Sequence, residues 1–390
     1  MTTTEVRGSI LDATRALAPE ISARAAEGDA LRTMPADLVD KVRGAGLFGL
    51  VLPRSLGGLE VDPVTLVEVT EELCRADGSA GWTIMIGNST AFFAWLDPDV
   101  AREMIGDDTH FVSTAMLAPL GRATPTGTAA FTVDGRWPFN SGCRHADWIQ
   151  ASVMVMDGAR PRMVPGHGPD QRLAFFRADD VEIVDNWDAL GLRGTGSNDI
   201  TVSGVSLPRE HTASHYYELA RHDGPLWRIP FYTMIAVHIV GFPLGVARRA
   251  LDEFTELATT KKRGAAPTPV AETGDAQVEL ARAEAALRSA RAFAFDAIGA
   301  MWDTACAGDP PSLEQRANVQ LAALQAMRSA TAAIDAVFPF AGAGAVYATQ
   351  PLQRCYRDLH TAAQHIFFSA ASWKRYAQLR LGIDQPTHMI

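Results

Sequence analysis

The stretch Arg357-Asp-Leu-His-Thr-Ala-Ala-Gln-His-Ile-Phe-Phe-Ser369 sets two histidines and an aspartate among apolar neighbours. Histidine titrates closest to neutral pH, so it can give or take a proton under physiological conditions. Asp358, Ala362, His365 and Ser369 recur at spacings of four, three and four. On an α-helix those spacings line one face and predict that His365 and Asp358 point into a common pocket. The plainer reading of His365 is a core histidine satisfied by a neighbouring carbonyl. His360 faces elsewhere, and His145 and His238 stand apart, the latter inside the uncharged run from Ile229 to Ala247. No metal site is expected: Cys74, Cys143, Cys306 and Cys355 are scattered, with no Cys-x-x-Cys pair and no zinc-type histidine spacing. The same scatter argues against a disulfide framework and for reduced thiols in a cytoplasm.

Two other segments carry special residue types. From Trp187 to Pro208, Gly191, Gly194 and Gly196 allow a tight turn, and the alternating Ile200, Val202, Val205 and Leu207 then predict a half-buried strand. The second is Gly135-Arg-Trp-Pro-Phe-Asn-Ser-Gly-Cys-Arg-His-Ala-Asp-Trp148, in which Phe139 reads, on residue type alone, as strand core and Ser141 as a turn former.

These segments need elements to hold them. Apolar residues recur at helical spacing from Ile10 to about Gly106, interrupted by turn chemistry between Gly46 and Gly58. Short β-prone runs follow: Phe111 to Met116, Ala130 to Val133, Trp148 to Met156, Leu173 to Phe176, Val181 to Val184 and Ile200 to Leu207. Helical patterning returns over Pro243 to Thr259, Ala276 to Ala305, Ser312 to Val337 and Leu352 to Leu381. The expected class is α+β. A helical domain spans 1–110, a β-barrel or sandwich 111–225, and a four-helix bundle 226–390. The chain has 390 residues, 47% of them hydrophobic, enough for a large core. Its net charge of -10 and single dense basic run, Lys261-Lys262-Arg263, argue against a nucleic-acid partner. The Ile229 to Ala247 run is long enough to prompt a membrane reading, but His238 and Pro243 within it favour a buried bundle helix.

The Trp187 to Pro208 segment resembles a signature of the acyl-CoA dehydrogenase superfamily. The Gly135 to Trp148 and Arg357 segments follow in the order and separation that superfamily shows, so the resemblance covers nearly the whole chain. It implies a flavin site in which Phe139 lies beside the flavin ring and Ser141 presents its hydroxyl near N5, with Arg193, Thr195 and Asp358 in the cofactor-binding set. Arg263 matches a position where an arginine reaches the flavin diphosphate of a neighbouring subunit, and Gly342 and Gly344 match a glycine loop passing the cofactor across the interface. A homotetramer is implied.

A dehydrogenase of this superfamily needs a carboxylate base. Counting from Arg357-Asp358, Ile366 stands where its glutamate belongs, and Pro225 to Ala250, the other home for that base, holds no Asp or Glu. The Arg357 segment resembles instead the reduced-flavin monooxygenases of the same fold. The resemblance then implies the oxygenase component of a two-component system. It would take reduced FAD or FMN by diffusion from a separate flavin reductase, react with O2 through a C4a-hydroperoxide, and hydroxylate an aromatic or polycyclic small molecule. His365 and Ser141 would handle the protons, while Ser113, His238, Trp227 and Phe231 would face the substrate. No Gly-x-Gly-x-x-Gly follows a strand, so electrons must come from outside. N- or S-oxygenation by the same chemistry, an acyl-CoA dehydrogenase with an unusually placed base, and a silent flavin-fold binding protein are the alternatives.

Overall fold

The computed structural model describes residues 3–262, 264, 267–386 and 389–390. Arg263 lies outside them, and so does its expected role.

The chain opens with α1 (Thr3–Ala23), α2 (Ala25–Leu31), α3 (Ala36–Gly44), α4 (Pro63–Ala76), α5 (Gly78–Gly87) and α6 (Pro98–Ile105). The start of α4 and of α5 is fixed by a carboxylate on free backbone N–H groups: Asp62 accepts from Thr65 N and Asp77 from Ala80 N, each at 2.9 Å. Almost all of α5 is buried, and it carries Trp82 into the middle of the molecule.

Strands β1 (Ser113–Thr126), β2 (Ala130–Asn140) and β3 (Trp148–Asp157) come next. Three short pieces follow, β4 (Arg160–Pro161), β5 (Met163–Val164) and β6 (Gly168–Pro169). The block ends with β7 (Gln171–Arg177), β8 (Glu182–Val184), β9 (Asn198–Pro208) and β10 (Thr212–Ala213). Seven of them run in one mixed sheet in the order β10-β7-β3-β1-β2-β9-β8, parallel at β1–β3 and antiparallel at its other pairings, with β4 added on β3 and β5–β6 forming a separate two-stranded sheet. Ile200, Val202 and Leu207 of β9 are buried, as the alternation predicts.

The bundle comprises α7 (Phe231–Thr260), α8 (Gly274–Ala307), α9 (Leu313–Ala341), α10 (Pro351–Ala362) and α11 (Ala370–Arg380). Two hydrophobic cores serve the three blocks. One runs from Ile10 to Ala362 and joins the N-terminal helices to the bundle; the other fills the sheet from Ala123 to Leu207. Each large side chain enclosed there contributes roughly 1.5–3 kcal/mol.

Two helices depart from the sequence reading. The one expected from Pro243 begins at Phe231, because Pro243 removes a single N–H while Phe231, Val237 and Phe242 gain burial. It is long and apolar enough to cross a membrane, yet it is mostly packed inside the protein. The helix expected over Leu352 to Leu381 breaks after Ala362 into a 3-10 turn, Ile366–Phe368, and α11. His365 takes an extended backbone with ψ 136, its ring accepts from Phe367 N, and Phe367 and Phe368 turn against the core. His365 and Ser369 therefore share no helix face with Asp358.

Candidate active site

The register of β2 against β9 slips between Trp137 and Asn140. Pro138 and Phe139 bulge out of the ladder there, and Phe139 adopts φ +64, a left-handed conformation that bulky residues avoid. Such a backbone costs on the order of 1–3 kcal/mol and persists only where the surroundings enforce it. The strain turns the Phe139 ring outward, 64% exposed, to meet the Trp187 ring edge-to-face at 6.3 Å. A strand-core phenylalanine is thus ruled out.

Two residues on, Ser141 is buried beneath this aromatic rim. Trp82 Nε1 donates to its Oγ at 3.1 Å, and its Oγ lies 2.7 Å from Ser197 Oγ. Ser197 Oγ is in turn 2.6 Å from Thr195 Oγ1, which donates to Leu192 O at 2.7 Å. Three hydroxyls thus form a continuous chain inside the fold.

On the other side of Trp82 stands His365, its ring edge-on to the indole at 5.9 Å. The residue as a whole is exposed, while its ring packs against Trp82 and Phe368. Desolvation by these neighbours pulls its pKa down to about 4, so the imidazole is neutral near pH 7. Because Nδ1 accepts from Phe367 N at 3.3 Å, the neutral ring carries its proton on Nε2 and offers a donor there. Ile366, in the place of a dehydrogenase base, is 81% exposed. Phe242 closes the indole from α7 at 5.0 Å. One turn earlier on that helix, His238 Nδ1 donates to Met234 O at 2.9 Å, leaving Nε2 as an acceptor, and burial lowers its pKa.

The loop between β8 and β9 is bolted to α10. Gly191 packs so tightly that a Cβ there would stand 2.2 Å from Arg357 O, and Leu192 N donates to Asp358 Oδ1 at 2.6 Å. Trp187 Nε1 also donates to Leu192 O at 2.9 Å. Asp358 is fully enclosed; burial first, and Asp77 second, raise its pKa to about 7. It therefore orients the loop that ends in the hydroxyl chain, and the expectation of a pocket shared with His365 is corrected.

Other expected site residues are placed differently. Ser113 is completely buried and its hydroxyl accepts from Gln150 Nε2 at 2.8 Å, so it meets no open surface. Trp227 and Phe231 join an aromatic cluster with Trp95. Phe231 lies eleven residues before Phe242 on one helix, about 16 Å from the Trp82 end. Arg193 is held within its own loop by Asp188 at 2.5 Å and Ala189 O at 3.2 Å. Gly342, at φ +66, and Gly344 face Lys261, whose Nζ would lie 2.9 Å from a Cβ on Gly344. Sequence reasoning overlooked Trp82 and Ser197. Ser197 sat within the quoted glycine segment, two residues after Thr195; Trp82 gave no signal, being one aromatic in an apolar helix.

Comparison with known proteins follows the same line. The family description "Acyl-CoA dehydrogenase, N-terminal domain" matches residues 4–96, and "Acyl-CoA dehydrogenase, C-terminal domain" matches 237–370. The chain is 31% identical to an indole-3-acetate monooxygenase of Pseudomonas putida, covering 92% of this chain and 90% of that protein. It is 30% identical to the flavin-dependent monooxygenase oxygenase subunit HsaA of Mycobacterium tuberculosis, over 92% and 91% of the two chains. A crystal structure of the M. tuberculosis HsaA monooxygenase superposes with a TM-score of 0.90 at 27% identity, over 98% of this chain and all of that one, 100%.

Proposed function

We propose that this chain, which belongs to the acyl-CoA dehydrogenase family and to its flavin-dependent monooxygenase members, hydroxylates an aromatic or polycyclic small molecule at the site built around Ser141, Trp82 and His365. It is the oxygenase component of a two-component flavin-dependent monooxygenase, and a flavin reductase is its partner. Reduced FAD or FMN, when bound, supplies the electrons that activate dioxygen so that one oxygen atom passes to the substrate.

The residues suit that cofactor. Phe139 and Trp187 offer an apolar rim for a flat ring, and Ser141 offers a fixed oxygen to the ring's N5 edge. The single observation carrying the reading is Trp82: its N–H orients Ser141 while its ring packs on the neutral His365. His365 Nε2–H is the proton donor at this site, and His238 Nε2, an acceptor one turn from Phe242, takes the proton of a substrate hydroxyl. Trp82, Phe242 and Phe368 give the site apolar walls that disfavour water.

Reduced flavin reaches this site by diffusion, and the assembly is a homotetramer in which Gly342 and Gly344 meet a neighbour's cofactor; the exposed Val346 and Tyr347 beside that loop support a covered surface there. The test supplies reduced FAD or FMN from a separate reductase under 18O2, with phenols, indoles and amines as substrates, and reads products by mass. A phenol or indole gaining one labelled oxygen on carbon supports the reading. Oxygen appearing only on nitrogen, or no labelled product with any of them, contradicts it.

A further inference from the structure

The chain of hydroxyls beneath the aromatic rim runs between a group that can only donate and a group that can only accept. At one end Trp82 Nε1–H meets Ser141 Oγ at 3.1 Å; at the other Thr195 Oγ1 lies 2.7 Å from the carbonyl of Leu192. A carbonyl has no proton, so Thr195 must donate to it. The single proton of Thr195 is then used, and across the 2.6 Å to Ser197 it is Ser197 that donates. That uses the proton of Ser197, and across 2.7 Å Ser141 donates to Ser197. Reversing either inner link would leave two oxygens in contact with no proton between them. The polarity is unique. Ser141 has no proton left to give, and one of its two lone pairs is free.

The acceptor end cannot swing away to relax this order. Leu192 is held by its N–H on Asp358 Oδ1 at 2.6 Å and by Trp187 Nε1 on its carbonyl at 2.9 Å. Thr195 is fully buried, and its own carbonyl accepts from Gly142 N at 2.8 Å, tying this loop to the turn that carries Ser141.

We infer that Ser197 and Thr195 act as positioning residues that give the site its redox selectivity: by making Ser141 an acceptor only, they favour reduced flavin over oxidised flavin. N5 of a reduced flavin bears an N–H and suits such an oxygen. N5 of an oxidised flavin is itself an acceptor and sets lone pair against lone pair. The inference rests on the reading of Ser141 as the partner of N5. An oxygenase fed from outside gains from it, because the fresh cofactor binds while the spent one is released.

The experiment is an anaerobic titration of the full-length protein with oxidised and reduced FAD and FMN, for wild type, Ser197→Ala, Thr195→Val and Ser197→Thr, read by flavin fluorescence and by the midpoint potential of the bound flavin. The wild type binds the reduced form at least about tenfold tighter, the size of one well-made hydrogen bond. In Ser197→Ala the Ser141 proton is freed to turn toward N5, so the preference falls about tenfold and the potential drops by about 30 mV for a two-electron couple. Thr195→Val lets Ser197 reverse and moves the ratio the same way, whereas Ser197→Thr keeps the wild-type ratio. An unchanged ratio in both Ser197→Ala and Thr195→Val, with each form binding as in wild type, overturns the inference. Failure of both the reduced and the oxidised flavin to bind wild type would overturn the flavin reading itself, and this inference with it.

Discussion

Asp358→Asn should stabilise the protein above neutral pH while leaving the loop anchored. The carboxyl is fully enclosed, with Oδ1 on Leu192 N and Oδ2 against Gly78, where an added Cβ would stand 2.8 Å away. Burial and the nearby Asp77 raise its pKa from 3.8 to about 7; Asp77 is raised too, burial outweighing Arg354 at 3.4 Å. Between pH 3.8 and about 7 the folded chain holds a proton that the unfolded chain has lost. Stability therefore declines through that window as pH rises, and the full cost is present above it. At about 1.4 kcal/mol per pH unit, three units set a ceiling of about 4 kcal/mol, shared with Asp77. Asparagine keeps the acceptor for Leu192 and never ionises. Urea denaturation at one protein concentration should show the variant gaining up to about 2.7 kcal/mol on wild type between about pH 5 and pH 8, two of the three units of that window. A difference flat across that range, or a variant that loses ground at the upper end, refutes the placement of Asp358 as a buried, proton-holding anchor.

His365→Ala should keep reduced-flavin affinity within about threefold yet lower product formed per oxygen consumed by about a hundredfold, the lower end of general acid catalysis, with peroxide rising in step; His365→Gln, which retains an N–H, should recover part of it. Because the His365 pKa sits near 4, below its ordinary value, the ring stays neutral as pH falls from 8 to about 5, and product yield should be level there before dropping in acid. A bell centred near pH 6.5 would count against the donor role. Gly191→Ala should cost several kcal/mol, since its Cβ meets the backbone of Arg357 and Asp358 at 2.2 and 2.7 Å; a melting temperature like wild type would show that this loop moves freely. Trp82→Phe removes one N–H from Ser141 and should lower stability by only about 1 kcal/mol while raising peroxide release, and tight coupling in that variant would contradict the role given to the indole.

Much of this was legible in the order of residues. Helical spacing, then β alternation, then long Ala-rich helices specify the three blocks, and the glycines of the 191–196 turn announce a close approach that the structure shows against α10. What the sequence hid is tertiary. Thr361-Ala-Ala-Gln364 is compatible with helix throughout, and the break that frees His365 comes from Phe367 and Phe368 seeking the core, a preference no local spacing records. Asp358 looked like a neighbour of His365, but its partner, Leu192, is 166 residues away in the chain. Ser141 and Ser197 are separated by 56 residues, and their hydroxyl chain is completed by a tryptophan on a helix with no polar face. Phe139 read as core because its type suits a strand; only the bulge beside Trp137 turns it outward.

The most direct test of the central claim mixes the protein, loaded anaerobically with reduced FAD or FMN, with oxygenated buffer and follows the flavin spectrum in time. The oxidised spectrum should return much later than for free reduced flavin, after a phase absorbing in the near ultraviolet, and an acyl-CoA should leave bound oxidised flavin unchanged. Oxidised flavin returning as fast as without protein, together with bleaching by an acyl-CoA in the absence of any reductase, would contradict it.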